Sequence, residues 1–93
     1  MVVGTVVVDL NLPGVNSLKE KRGRLKPLLA KLQSRFNISV AEVGLNDSYR
    51  SARLGAALIS NDKVYVDQVI AKLIKVIEAA PEIIVIDYRV EML

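Results

Sequence analysis

Two segments with helical periodicity lie along this chain, and each has strand-like segments on both sides. Residues 18–36 place leucines and one phenylalanine on a single helical face, and residues 66–80 do the same with valine, isoleucine and leucine. Segments that alternate or are rich in β-branched residues are typical of strands, and they lie at residues 2–12, 38–43, 49–59 and 82–91. The predicted order is therefore β-α-β-β-α-β.

The first helix has a clear start and one irregularity. Ser17 followed three residues later by Glu20 forms a capping box, so the helix is expected to begin near Leu18. Pro27 lies inside it, four residues after Gly23, where a proline removes one backbone hydrogen bond. Because the apolar face continues in phase on both sides, the proline predicts a kink rather than an end.

The second helix and the last strand are also bounded by recognisable residues. Pro81 ends the helix, and its N-cap candidates are Ser60, Asn61 and Asp62. In the last strand, the residues expected to face the helices are Ile84, Ile86, Tyr88 and Val90. Those expected on the other face, with Asp9 and Arg53, are Asp87, Arg89 and Glu91.

Two split β-α-β units of this length predict a single domain over residues 1–93, an α+β sandwich of the ferredoxin-like type. Its four-stranded antiparallel sheet should have the order 4-1-3-2, with both helices on one face and the other face open. The open face predicts an apolar patch formed by Val3, Thr5, Val7, Gly55, Ala57 and Ile59. A homodimer or a protein partner would cover such a patch, although strands also tolerate exposed β-branched residues.

Positive charge is concentrated in one segment. The whole chain has a formal net charge of +3, but residues 19–35 contain seven basic side chains and only Glu20 as an acid. The basic residues are Lys19, Lys21, Arg22, Arg24, Lys26, Lys31 and Arg35. A helix built only for solubility would intersperse acids, so this pattern favours a polyanionic partner over a merely solvated face.

Structured RNA fits that description best. The predicted strands lack central aromatic residues that could stack on bases, so phosphate contacts would dominate and binding would depend steeply on salt. Arg50 and Arg53 lie at one end of the third strand and are expected to extend the basic surface.

Enzyme activity is not expected. The chain has no histidine and no cysteine, so the commonest general base, metal ligand and nucleophilic thiol are missing. No serine lies in a nucleophile elbow, and no phosphate-binding glycine loop is present, which predicts neither cofactor nor metal. Glu42 with Asp47, or Asp62 with Asp67, do not match the spacing of a calcium loop. Pro13 and Gly14 leave open a small-ligand regulatory domain of ACT type, in which a ligand binds near such a turn.

The expected location is the cytoplasm. The N-terminus has no basic stretch or cleavage site of a signal peptide, and no apolar run approaches the roughly 18 residues of a membrane span.

Two motifs, SLKEKR at residues 17–22 and FNISVAEVG at residues 36–44, resemble the YlxP-like family of small bacterial proteins. Further matching positions are Asp47, Ala52, Leu54, Gly55, Asn61 and Asp62, whereas Tyr49 and Arg50 replace the Trp-Gln pair common in the family. The resemblance implies a ferredoxin-like fold and assigns no catalytic residue. Genes of this family often neighbour those of a transcription termination factor, a translation initiation factor and a ribosome-binding factor. The resemblance thus implies work near ribosomal RNA or nascent transcripts.

Overall fold

The computed structural model describes all residues from Met1 to Leu93. Its elements follow the predicted order: β1 (Val2–Asn11), α1 (Leu18–Arg35), β2 (Ser39–Gly44), β3 (Ser51–Ser60), α2 (Lys63–Glu78) and β4 (Ile84–Met92). Neither helix is long and apolar enough to cross a membrane.

The four strands form one antiparallel sheet in the order β2-β3-β1-β4. This is the predicted order 4-1-3-2 seen from the opposite edge, so the ferredoxin-like βαββαβ fold is confirmed. β1 lies in the centre and pairs with both β3 and β4, which leaves β2 and β4 as the two edges.

The core lies between the sheet and the two helices. Alternate residues of β1, among them Val6 and Val8, are almost completely buried on the helix side. They belong to a cluster of 19 buried apolar residues, to which α1 contributes Leu25, Leu28 and Leu32 and α2 contributes Val66, Ile70, Leu73, Ile74, Val76 and Ile77. The opposite side of the sheet has no helix over it.

Both helices begin at the predicted caps. The Ser17 hydroxyl accepts a hydrogen bond from the Glu20 amide at 3.1 Å, and the Asp62 carboxylate accepts from the amides of Val64 and Tyr65. α1 continues through Pro27 to Arg35, so the proline does not end the helix.

The side of the sheet on which each β4 side chain lies was predicted correctly for only part of the strand. Tyr88 pairs with Val8 and Val90 with Val6, which places both on the helix side as expected. A bulge between Asp87 and Val85 inserts one extra residue, and this shifts the alternation of the strand. The prediction is therefore wrong for Ile84, which pairs with Asn11 on the open side, and for the bulged Ile86, which is 62% exposed.

Candidate phosphate-binding surface

The basic residues of α1 divide between its two flanks. Arg22 and Lys26 line a cavity together with Glu42 of β2, which places them on the flank toward that edge strand. Lys31 and Arg35, four residues apart and therefore on one helical face, lie on the flank toward α2. Lys19, in the first turn, is also exposed. The five exposed cations of α1 thus occur on both flanks of the helix and not on one shared face.

A groove between the two helices brings four positive charges together. It has a volume of about 310 Å³ and is lined by Lys31 and Arg35 of α1 and by Lys72, Lys75, Val76 and Ala79 of α2. No carboxylate lines it, and none of its four cations forms an ion pair within the chain. Four unpaired cations around a shallow groove create the positive local potential that attracts phosphate groups.

Two of the four cations that line this groove were not predicted from the sequence. Lys72 and Lys75 lie in a segment whose total charge is not basic, so the charge asymmetry did not reveal them. Their spacing of three residues does place them on one side of α2. What the sequence did not reveal was that this side faces the Lys31 flank of α1.

Lys21 is not part of this surface, because its side chain is only 2% exposed. Its Nζ lies 2.6 Å from Oε2 of Glu42 and donates hydrogen bonds to the carbonyl oxygens of Leu45 at 2.8 Å and Ser48 at 2.6 Å. Two ammonium protons are thereby donated to backbone carbonyls, and the positive charge faces the Glu42 carboxylate. The expectation that Lys21 contacts phosphate is corrected: the residue joins α1 to the β2–β3 hairpin.

Arg24 and Arg50 also bind the chain's own turns. Nη1 of Arg24 donates to the carbonyl oxygen of Pro13 at 2.8 Å, and its Nη2 lies 3.3 Å from a carboxylate oxygen of Glu82. Arg50 donates from Nε to the carbonyl oxygen of Val15 at 2.9 Å. Both guanidinium groups hold the segment before α1, where Gly14 has a positive φ of 79°. The Pro13-Gly14 turn is thus explained by backbone geometry and these two arginines.

Arg53 lies on the opposite side of the molecule from the helices. Its Nε donates to Oδ1 of Asp9 at 2.7 Å on the open face, where the two residues are direct cross-strand partners. The hydrogen bond from Arg53 holds the pKa of Asp9 below its usual value, aided by the positive charges of Arg53 and Arg89, while desolvation acts in the opposite direction. The same bond raises the pKa of Arg53. The expectation that Arg53 extends the basic surface of α1 is therefore corrected.

The carboxylates do not gather into a metal site. The structure contains no group of three acidic side chains close enough to hold an ion. Glu42 faces the ammonium of Lys21, and Asp62 caps α2.

A family model described as "Protein of unknown function (DUF503)" matches residues 3–90. This chain belongs to the DUF503 family. The "Uncharacterized protein YlxP" of Bacillus subtilis (strain 168) is 31% identical over 81 residues, which cover 87% of this chain and 88% of that protein. The resemblance to the YlxP-like family is thereby confirmed.

Solved structures resemble this DUF503 chain in fold alone. A point mutant of SnoaB, a cofactor-independent oxygenase from Streptomyces nogalater, aligns with a TM-score of 0.51 at 11% identity, covering 98% of this chain and 90% of that one. The de novo designed protein Ferredog-Diesel aligns with a TM-score of 0.47 at 15% identity, covering 96% of this chain and 83% of that one.

The open sheet face of the DUF503 chain carries the predicted apolar residues side by side. Cross-strand pairs join Val3 to Ile59, Thr5 to Ala57 and Val7 to Gly55. Val43 of β2 packs over Gly55, and a shallow depression of about 510 Å³ runs between β1 and β2. The positions are those expected from the sequence, and their role as an interface stays a prediction.

Proposed function

We propose that this protein is a non-enzymatic accessory protein that binds structured RNA, free or within a ribosomal subunit, through the outer side of its helix layer. The groove of Lys31, Arg35, Lys72 and Lys75 carries the proposal, because these cations converge from two helices and no carboxylate neutralises them. Lys19, Arg22 and Lys26 add exposed positive charge elsewhere on α1, with Arg22 and Lys26 on the flank toward β2.

Structured RNA is favoured over single-stranded RNA because the open sheet face has no aromatic side chains at its central positions. Proteins that bind single strands on such a sheet stack bases on aromatic side chains. Here the central positions of β1 and β3 on that face are Thr5, Val7, Gly55 and Ala57. A groove lined by cations contacts phosphates instead, which gives recognition of shape rather than sequence.

Fluorescence anisotropy with a labelled RNA hairpin of about 16 base pairs tests the proposal. Binding through four phosphate contacts should weaken roughly a hundredfold between about 50 and 200 mM salt. The double variant Lys72→Ala/Lys75→Ala should weaken binding. It should also lower the slope of log affinity against log salt by the equivalent of about two phosphate contacts.

The matched control is Lys63→Glu, which changes the net charge by the same amount at an exposed position of α2 outside the groove. The control should lose far less affinity than the double variant. Equal losses in the two would show that only net charge matters, and no binding at low salt would refute RNA as the partner.

Co-sedimentation with ribosomal subunits then separates the two sources of RNA. Association with one subunit at low salt, lost in the Lys72→Ala/Lys75→Ala variant, would support a site on ribosomal RNA. Absence from ribosomal fractions together with hairpin binding would support free RNA.

A protein-interaction module is the second candidate function, and the apolar depression on the open sheet face favours it. Val7→Lys adds a charge at the centre of that face, where Val7 pairs with Gly55. Loss of a captured protein in this variant, with RNA binding absent in the native protein, would favour this candidate. A small-ligand regulator would instead show thermal stabilisation by an amino acid or nucleotide.

A further inference from the structure

We infer that the free edge of β4 pairs with β4 of a second copy, so that two sheets join into one antiparallel sheet of eight strands. β4 is nine residues long and forms one edge of the sheet. A long uncovered edge strand presents unpaired backbone groups to another chain. The inference does not depend on RNA binding.

The hydrogen-bond pattern between β1 and β4 shows which backbone amides and carbonyls of β4 are left free at the sheet edge. Val3 and Leu93 exchange both of their backbone hydrogen bonds, at 3.3 and 2.8 Å. In an antiparallel pair the bonded and non-bonded positions alternate, so Glu91 and Arg89 also bond to β1. The amides and carbonyls of Tyr88, Val90 and Met92 therefore point away from the sheet.

The side chains along this edge are apolar on the helix side. Tyr88 is 47% and Val90 43% exposed, although both stand on the side that elsewhere forms the core. A second strand alongside β4 would place apolar neighbours next to both and continue the core across the junction.

Charge complementarity selects a second copy as the occupant. On the open side, Asp87, Arg89 and Glu91 alternate in sign, and none of them forms an ion pair within the chain. A two-fold axis through Val90 places each Arg89 opposite Glu91 of the second copy. An axis through Arg89 would instead oppose like charges, which is destabilising between strands.

The register through Val90 also avoids the bulge of β4. It uses residues 87–93 alone and so leaves out Ile86. An axis through Tyr88 also pairs opposite charges, but it would place the bulged Ile86 opposite Val90 of the second copy. In either register the Tyr88 amide exchanges its bond to Oδ1 of Asp87 for one across the junction. The Val90 register is the one that combines opposite charges with a regular strand.

The resulting dimer would carry both helix layers on the same face, because directly opposite residues in a sheet point to the same side. The two basic grooves would then face one direction. This geometry would double the positive surface available to a long polyanion.

Sedimentation equilibrium tests the pairing. The native protein should reach twice the 10.2 kDa chain mass as concentration rises. Val90→Pro should stay monomeric, since it removes the central outward amide without breaking a bond to β1. Arg89→Glu should weaken the dimer at least tenfold, and adding Glu91→Arg should restore it. Circular dichroism melts check that each variant is folded.

Ala57→Lys is the control, because it changes the open face on β3, two strands away from the β4 edge. A dimer that is lost in Ala57→Lys and kept in Val90→Pro would overturn the inference in favour of face-to-face packing. A native protein that stays monomeric at every concentration would overturn it outright. Rescue of Arg89→Glu by Asp87→Arg instead of Glu91→Arg would overturn the Val90 register.

Discussion

The Nζ of Lys21 lies 2.6 Å from Oε2 of Glu42, and this contact joins the first turns of α1 to the edge strand β2. The carbonyls of Leu45 and Ser48 complete the surroundings of the ammonium group. A basic residue in the most positively charged segment of the chain is thus a structural cross-link.

We expect Lys21→Ala to lower the free energy of unfolding by about 3 kcal/mol, because it leaves a partly buried carboxylate and two carbonyls without a partner. In a domain of this size that loss corresponds to a fall in Tm of roughly 12 to 24 °C. Thermal and urea melts followed by circular dichroism measure it.

The control for that variant is Lys19→Ala, an exposed lysine of the same helix, which should change stability by no more than about 0.5 kcal/mol. The double variant Lys21→Met/Glu42→Leu should recover much of the loss, since apolar residues of similar size often replace a buried ion pair. Equal effects of the two lysine substitutions would contradict the structural role.

Gly4 should not tolerate a side chain. A Cβ added there would collide with Cγ1 of Val66, which is fully buried in α2, and would press on Ile70. We expect Gly4→Ala to cost about 1 to 3 kcal/mol by overpacking. Gly55→Ala is the matched control, because the Cβ there meets the side chain of exposed Val43. The prediction fails if both alanines lower Tm equally.

Periodicity predicted the fold because each element buries one face. The alternation of β1 and the apolar stripes of both helices continue over several turns or pleats, so each element could be recognised from the sequence. The order of these elements and their short connections then predicted the strand order. The facing of Ile84 and Ile86 could not be predicted, because one bulged residue reverses the alternation and leaves no sequence signal.

The candidate site was predictable only as a charge excess. The sequence showed that α1 is basic, yet it could not show that Lys21 turns inward to Glu42 while Arg22 stays exposed. Nor could it show that Lys72 and Lys75 complete a groove with α1, because that depends on how two helices pack.

Pro27 should make α1 less stable than an alanine would. It lies in the interior of the helix and removes the hydrogen bond to the carbonyl of Gly23. We expect Pro27→Ala to raise the free energy of unfolding by about 1 to 3 kcal/mol. Gly23→Ala should add about 1 kcal/mol, since a Cβ there meets nothing within 4 Å. Urea melts measure both, and a loss of stability in Pro27→Ala would show that the ring is needed for packing.

The ion pair between Asp9 and Arg53 should contribute to the free energy of unfolding at neutral pH and lose that contribution in acid. Because the hydrogen bond from Arg53 lowers the pKa of Asp9 in the folded state, the unfolded carboxyl, with a pKa of about 3.9, binds its proton first as pH falls. The stabilisation is therefore fully present above that value and is lost as pH drops through the folded pKa. Asp9→Asn should destabilise slightly at pH 7, and its difference from the native protein should shrink as the pH falls through the folded pKa.

The measurement is the difference in unfolding free energy between native protein and Asp9→Asn, taken from urea melts at several pH values. Taking the difference cancels the titration of the other carboxyl groups. Since the side chains of Asp9 and Arg53 are 28% and 38% exposed, salt should also shrink the difference. A difference that is unchanged from pH 7 to pH 2, or that grows in acid, would show that Arg53 does not stabilise the Asp9 carboxylate.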